Sequence, residues 1–190
     1  MRNLIRKIFG RKSKKNMPSE NQEFTGEFSY LNDIPKLDII GTINLSDIIG
    51  STITDIKQEF SFNKIDNWMD YSRTFITLND DLVITLPVAG SSSTSIVRTS
   101  SKSKKIGKQY ATRIISQQIN DFYFYYFENN PDSSQPSYLL LSNGFAISED
   151  SIGIHGTGNA DLHLYSKEEF EQILDDKEAD IRSFLKTIDK

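Results

Sequence analysis

The two histidines of the chain stand near acidic residues and raise the question of a metal site. Asp161 and His163 are two residues apart, so both side chains would point to one side of a strand. With His155, Glu149 and Asp150 they offer the nitrogen and oxygen ligands that transition metals accept. Structural zinc sites prefer cysteines and close ligand pairs, which this chain lacks. We therefore expect surface histidines and no metal, and keep a small metal-dependent hydrolase using His155 and His163 as the third hypothesis.

Other catalytic or cofactor-binding patterns are also missing from the sequence. There is no cysteine nucleophile, and no serine lies in a Gly-x-Ser-x-Gly turn. Gly107 and Lys108 resemble a phosphate-binding loop only superficially, because Lys102 stands where that motif needs glycine and Gln109 where it needs serine or threonine. We therefore expect no enzymatic activity and no cofactor.

Charge is strongly segregated along the chain. Residues 1–19 carry seven basic and no acidic side chains, and residues 82–120 carry six basic and no acidic ones. The remaining residues hold only nine basic side chains but all 26 acidic ones. An acidic body steers a protein towards a basic partner. Our first hypothesis is a non-enzymatic, bacterial protein-binding domain, for example an immunity- or inhibitor-type protein with an acidic surface.

The acidic residues expected to contact such a partner lie on the last predicted helix. They are Glu168, Glu171, Asp175 and Asp176. The single tryptophan, Trp68, stands in a polar stretch and is a second candidate contact, because exposed tryptophans often anchor protein interfaces. The alternative is that Trp68 covers an edge of the core.

The basic segments support a second hypothesis, in which phosphate groups of a membrane or a nucleic acid are bound. The candidate contacts are Arg2, Arg6, Lys7, Arg11, Lys102, Lys104 and Lys105. The first turns combine basic and apolar residues, as interfacial helices do, but we favour a disordered basic tail over residues 1–23. We do not expect nucleic-acid binding, because the acidic body would repel it. No apolar run reaches about 18 residues, so we expect a cytoplasmic protein, with peripheral membrane attachment as the alternative.

The clearest local element is a hairpin within residues 137–158. Tyr138–Leu141 is strand-like, and Asn143-Gly144 is a strong signal for a type I′ turn. Phe145–Ser148 then alternates as a returning strand. A glycine-rich stretch follows, which we interpret as a loop.

This pattern occurs twice. Residues Ile48, Ile53 and Asp55 match residues 66 positions later, and the following hairpin matches one 63 positions later. Each copy, 48–90 and 114–153, would contain a helical turn and three strands. The alternative to a true duplication is that any two such meanders look alike.

The remaining elements complete an α+β interpretation for residues 24–190. The aromatic run 122–127 indicates a strand covered on both faces. Residues 89–108 are rich in serine and lysine and indicate a flexible basic loop. A capping box at Ser166 and Glu169 opens an amphipathic helix that we extend to residue 190. We expect a mostly antiparallel sheet with this C-terminal helix packed on it.

Removing residues 1–22 should leave the Tm nearly unchanged, because a mobile terminus contributes little to stability. Differential scanning calorimetry of the full and shortened chains measures this. A shortened chain that unfolds would show that the predicted boundary is wrong.

Overall fold

The computed structural model describes residues 36–63, 68–132, 135–151, 160–176 and 178–188, all within the compact unit Lys36–Lys190. For residues 60–63, 68–72, 150–151 and 160–161 only the backbone is described. The predicted tail, residues 1–23, lies outside the described residues, as do residues 24–35 of the predicted domain.

The described elements alternate short helices with runs of strands. In chain order they are β1 (Asp38–Asn44), α1 (Leu45–Ile48), β2 (Ile53–Asn63), β3 (Trp68–Leu78), β4 (Val83–Ile84), β5 (Ser93–Arg98), β6 (Lys104–Lys105), α2 (Lys108–Ile114), β7 (Ile119–Phe127), β8 (Asn130–Pro131), β9 (Tyr138–Leu141), β10 (Ala146–Ser151), β11 (Ala160–Tyr165), α3 (Lys167–Leu174), β12 (Asp180–Ser183) and α4 (Phe184–Ile188).

These strands form two antiparallel sheets of six strands each. Sheet 1 has the order β1-β5-β4-β3-β2-β6, and sheet 2 has the order β11-β10-β9-β7-β12, with β8 paired to β7. Helix α3 packs on sheet 2 through Phe170. The predicted α+β class, with a mostly antiparallel sheet and a helix near the C-terminus packed on it, is confirmed.

Both sheets contribute to one continuous hydrophobic cluster. Ile53 and Ile76 of sheet 1 and Phe122 and Leu139 of sheet 2 belong to it, and each is 0% exposed. Burial of side chains of this size stabilises a fold by roughly 1.5–3 kcal/mol each. This cluster is therefore the main core of the described unit.

Backbone hydrogen bonds join the two sheets where β2 and β7 begin. Running from N–H to carbonyl, the four bonds are Gly50 to Ile119 (2.8 Å), Ser116 to Ile53 (2.8 Å), Ile53 to Gln117 (2.9 Å) and Ile119 to Ser51 (3.0 Å). The four bonds form two equivalent pairs. Adding 66 to the residue number in the first copy and subtracting 66 from that of its partner turns each bond into the other bond of its pair. The offset is the one that the sequence comparison indicated.

The reciprocal bonds surround an approximate two-fold axis. Thr52 and Gln118, which are 66 residues apart, form an isolated antiparallel bridge with each other. Gly50 has a φ of +81° and Ser116 a φ of +70°. The left-handed conformation therefore occurs at equivalent places, although only one of the two residues is glycine.

The hairpin loops of the two copies also share one geometry. In loops 78–82 and 141–145, the N–H of the first residue donates to the carbonyl of the fifth over 2.8 Å. The N–H of the fourth residue donates to the carbonyl of the first residue. The fourth residue is Asp81 (φ +57°) in the first loop and Gly144 (φ +85°) in the second. The expected type I′ turn is wrong, because Asn143 keeps a negative φ and the loop has three residues. A gene duplication as the origin of this likeness stays a prediction.

The prediction of one continuous helix from Ser166 to residue 190 is wrong beyond residue 174. Helix α3 begins with the predicted capping box, in which Glu169 N–H donates to the Ser166 hydroxyl over 3.2 Å and Ser166 N–H donates to the Glu169 carboxylate over 2.7 Å. It ends at Leu174, and Asp180–Ser183 pairs antiparallel with Tyr123–Tyr126 of β7. An unpaired β7 edge offers backbone partners that outweigh the helical pattern around Ile181, and the chain becomes helical again at Phe184.

The flexible basic loop predicted over residues 89–108 is also wrong in part. Ser93–Arg98 forms β5, which pairs with β1 and β4. Thr94 and Val97 are buried, and the Thr94 hydroxyl donates to the carbonyl of Thr85 over 2.8 Å. Hydroxyl side chains that find backbone acceptors in this way fit a strand despite their polar composition.

The aromatic strand β7 is covered on both faces, as predicted. Phe122 and Phe124 lie in the core between the sheets, while Tyr123 and Tyr125 pack towards α3. Its last residue is open, since Phe127 is 69% exposed.

Replacing Phe184 with alanine should lower the free energy of unfolding by about 3–5 kcal/mol, because the ring is only 8% exposed and belongs to the main core. Ile188 of the same helix is 51% exposed and gives the control, for which we expect a loss below about 1 kcal/mol. Urea unfolding compares the two variants. Equal losses would show that α4 does not pack through Phe184.

Candidate functional site

Helix α3 presents a set of acidic side chains because its other side is fixed on sheet 2. Phe170 is 2% exposed and lies between Tyr123 and Tyr138, with ring centroids 5.3 and 5.4 Å away. Glu168 and Glu171 therefore point away from the sheet and are exposed.

The four acidic residues singled out in the sequence are all exposed in the structure. They are Glu168, Glu171, Asp175 and Asp176. Among the described residues, which exclude residue 177, only Glu171 of this set has an ion pair, to Lys167 Nζ at 3.8 Å. We call this set the acidic face. Lys167 offsets one of the four carboxylates, so the acidic face keeps a net negative charge.

A groove beside the acidic face has an aromatic wall. Tyr125, His163 and Tyr165 form this wall, and the rings of His163 and Tyr165 lie 4.3 Å apart. The hydroxyl of Tyr125 is 3.0 Å from that of Tyr138, which holds the wall against the packed aromatic cluster below α3.

The opposite wall comes from α3 and the turn after it. Glu169, Gln172 and Asp176 supply polar groups, and Ile173 and Ala179 supply apolar surface. The groove encloses about 370 Å³. We call it the aromatic groove; its two walls combine ring faces with carboxylates.

Both carboxylates of the aromatic groove take part in local hydrogen bonds that orient them. The backbone N–H of Ser166, and then its hydroxyl, lower the pKa of Glu169, with a smaller effect from His163. Asp176 accepts a hydrogen bond from the N–H of Glu178 over 3.0 Å through Oδ1. The Glu169 carboxylate is therefore ionised at neutral pH and held in place.

The predicted metal ligands are only partly described. His163 is exposed and stacks on Tyr165, while His155 and the side chain of Asp161 lie outside the described residues. Within the described residues, no group of three His, Cys, Asp or Glu side chains could hold a metal ion. Trp68 begins β3, but its side chain is not among those described.

The basic candidates fall in two places. Lys102, Lys104 and Lys105 are exposed around β6 at an edge of sheet 1, and Lys105 Nζ lies 3.9 Å from Asp55. The tail residues Arg2, Arg6, Lys7 and Arg11 lie outside the described residues. No helix in the described ranges is long and apolar enough to cross a membrane.

The aromatic groove itself was not found from the sequence. The pattern of residues 122–127 predicts a core position for Tyr125, and the sequence indicates a role for Glu169 only in the capping box. A usable signal was present, since His163 and Tyr165 are two residues apart and share one face of a strand. The missing information was the pairing of β11 with β10, which places these rings beside α3.

A buried carboxyl between the sheets is a second unusual group. Burial raises the pKa of Glu149 from 4.5 to about 6, and the nearby Thr74 and Arg73 offset part of this effect. Glu149 lies on β10 and Thr74 on β3, so the two sheets meet at this carboxyl.

Replacing Glu149 with glutamine should stabilise the protein at about pH 8 but not at about pH 4. The folded chain holds the carboxyl proton to a higher pH than the unfolded chain, so wild-type stability falls as the pH rises between 4.5 and about 6. A shift of this size corresponds to roughly 2 kcal/mol.

Urea unfolding of both proteins at the two pH values measures the difference. Glu168→Gln, the same change at an exposed position, is the control and should not stabilise the protein at about pH 8. An equal effect of Glu149→Gln at both pH values would contradict the assignment.

Comparisons with protein-family models, with curated proteins and with solved structures gave no significant match to this chain. The function must therefore be inferred from the residues of this chain.

Proposed function

We propose that this chain is a non-enzymatic protein-binding domain that holds a basic protein partner, and that the acidic face is the contact surface. An immunity- or inhibitor-type protein that neutralises a basic target is one concrete form of this function. The observation that carries the proposal is the acidic face itself, whose four carboxylates are exposed and only slightly offset by Lys167.

The way α3 is anchored supports a binding role for the acidic face. The capping box fixes the first turn, and Phe170 fixes the helix on the aromatic side chains of sheet 2. Glu168 and Glu171 lie on this rigid helix and therefore lose less conformational entropy on binding than carboxylates on a loop. Their combined field would also speed association with a basic partner.

The alternative function, contact with an anionic membrane or nucleic acid, has weaker support. Lys102, Lys104 and Lys105 form a small exposed group, but Asp55 lies beside Lys105. This group alone offers few charges for counterion release from phosphates, so the alternative would also need the tail residues Arg2, Arg6, Lys7 and Arg11.

The proposal predicts that association with the partner is steered by charge. A pull-down with the tagged full chain identifies the partner, and stopped-flow measurements then give association and dissociation rates. The association rate should fall at least about tenfold between 0.1 M and 1 M salt, as the Debye length shrinks from about 10 Å to about 3 Å. The dissociation rate should change much less, because close contacts are screened less.

A charge-reversal pair locates the contact. Glu171→Lys with Asp175→Lys should slow association about tenfold at low salt without changing the Tm. The control pair, Asp47→Lys with Asp80→Lys, makes the same change in net charge at exposed positions of other elements. Equal effects of the two pairs, or no effect at low salt, would remove the acidic face as the contact surface.

A further inference from the structure

The chain already contains one aromatic and acidic site that is filled by an arginine. The guanidinium of Arg182 lies over the ring of Tyr126, with its carbon 4.4 Å from the ring centroid. Arg182 Nε donates to Asp180 Oδ1 over 2.8 Å, and Nη2 donates to Asp180 Oδ2 over 2.5 Å. A ring face and a carboxylate together therefore hold a guanidinium in this molecule.

The aromatic groove offers the same combination without a cation. Tyr165 and His163 supply ring faces, and Glu169 and Asp176 supply carboxylates. No lysine or arginine is among the described residues that line it. Its carboxylates are thus available to a cation from outside.

The shape and chemistry of the aromatic groove favour an arginine side chain. A planar guanidinium stacks on aromatic faces and pairs with carboxylates through two N–H groups, whereas a lysine ammonium is compact and strongly hydrated. Ile173 and Ala179 offer apolar surface to the methylene groups of the side chain. A volume of about 370 Å³ leaves room for an arginine side chain.

We propose that the aromatic groove binds an arginine side chain of the basic protein partner. The rings of His163 and Tyr165 would lie on one side of the guanidinium, and the carboxylates of Glu169 and Asp176 on the other. The identity of the arginine's source rests on the proposed function. The binding chemistry of the groove does not.

The test is an NMR titration of the isotope-labelled full chain with N-acetyl-argininamide at constant ionic strength. We expect saturable shift changes in the amides of residues 163–176. N-acetyl-citrullinamide has nearly the same shape without the charge, and it should bind about tenfold more weakly. N-acetyl-lysinamide should bind about threefold more weakly.

Two variants remove charge from the aromatic groove while keeping its local hydrogen bonds. Asp176→Asn retains an oxygen for the N–H of Glu178, and Glu169→Gln retains one for the N–H of Ser166. Each should weaken the argininamide complex about threefold to fivefold. Asp80→Asn, which removes one exposed charge outside both the groove and the acidic face, should change it less than twofold.

Absent or unsaturable shift changes, equal binding of the arginine and citrulline probes, or equal effects of Asp176→Asn and Asp80→Asn would each overturn the proposal. Tighter binding of the lysine probe would do so as well. Such a failure is distinguishable from failure of the proposed function, because Glu171 and Asp175 do not line the groove. A partner whose association still responds to their reversal would keep the acidic face and exclude only the arginine site.

Discussion

The reciprocal backbone hydrogen bonds between residues 50–53 and 116–119 are the constraint on which the described unit depends. They set where β2 and β7 begin, and so which side chains of each strand face the other sheet. A shift of one residue on either strand would turn the core residues outwards. The left-handed conformation of Gly50 and Ser116 is the local requirement of this junction.

An equivalent carboxylate lies next to the last strand of each sheet. Asp55 lies near Lys105 of β6 in sheet 1, and Asp121, 66 residues later, accepts a hydrogen bond from Ser183 of β12 over 2.5 Å in sheet 2. The hydrogen bond between Ser183 and Asp121 is buried. Asp121 also accepts a hydrogen bond from the N–H of Leu185 over 3.2 Å, so it orients α4. β12 thereby completes sheet 2 next to α3. The acidic face and the aromatic groove therefore lie on an ordered sheet.

Local patterns predicted the fold better than the candidate site. The capping box at Ser166, the strand at Tyr138–Leu141 and the two covered faces of β7 follow from spacing alone. The break after Leu174 and the strand at Asp180–Ser183 do not, because they depend on an unpaired edge more than 50 residues earlier in the chain. The aromatic groove was missed for the same reason: Tyr125, His163 and Asp176 meet only through pairing between distant strands.

The pairing of β12 with β7 also affects how the chain matures on the ribosome. Tyr123 is synthesised about 60 residues before Ser183, its partner in the ladder, and at roughly 5–20 residues per second this interval lasts several seconds. During that time the uncharged, aromatic segment Tyr123–Tyr126 of β7 has one open edge, which is the kind of surface that chaperones and neighbouring nascent chains recognise. The rate of translation through the last segment therefore sets how long this edge is exposed.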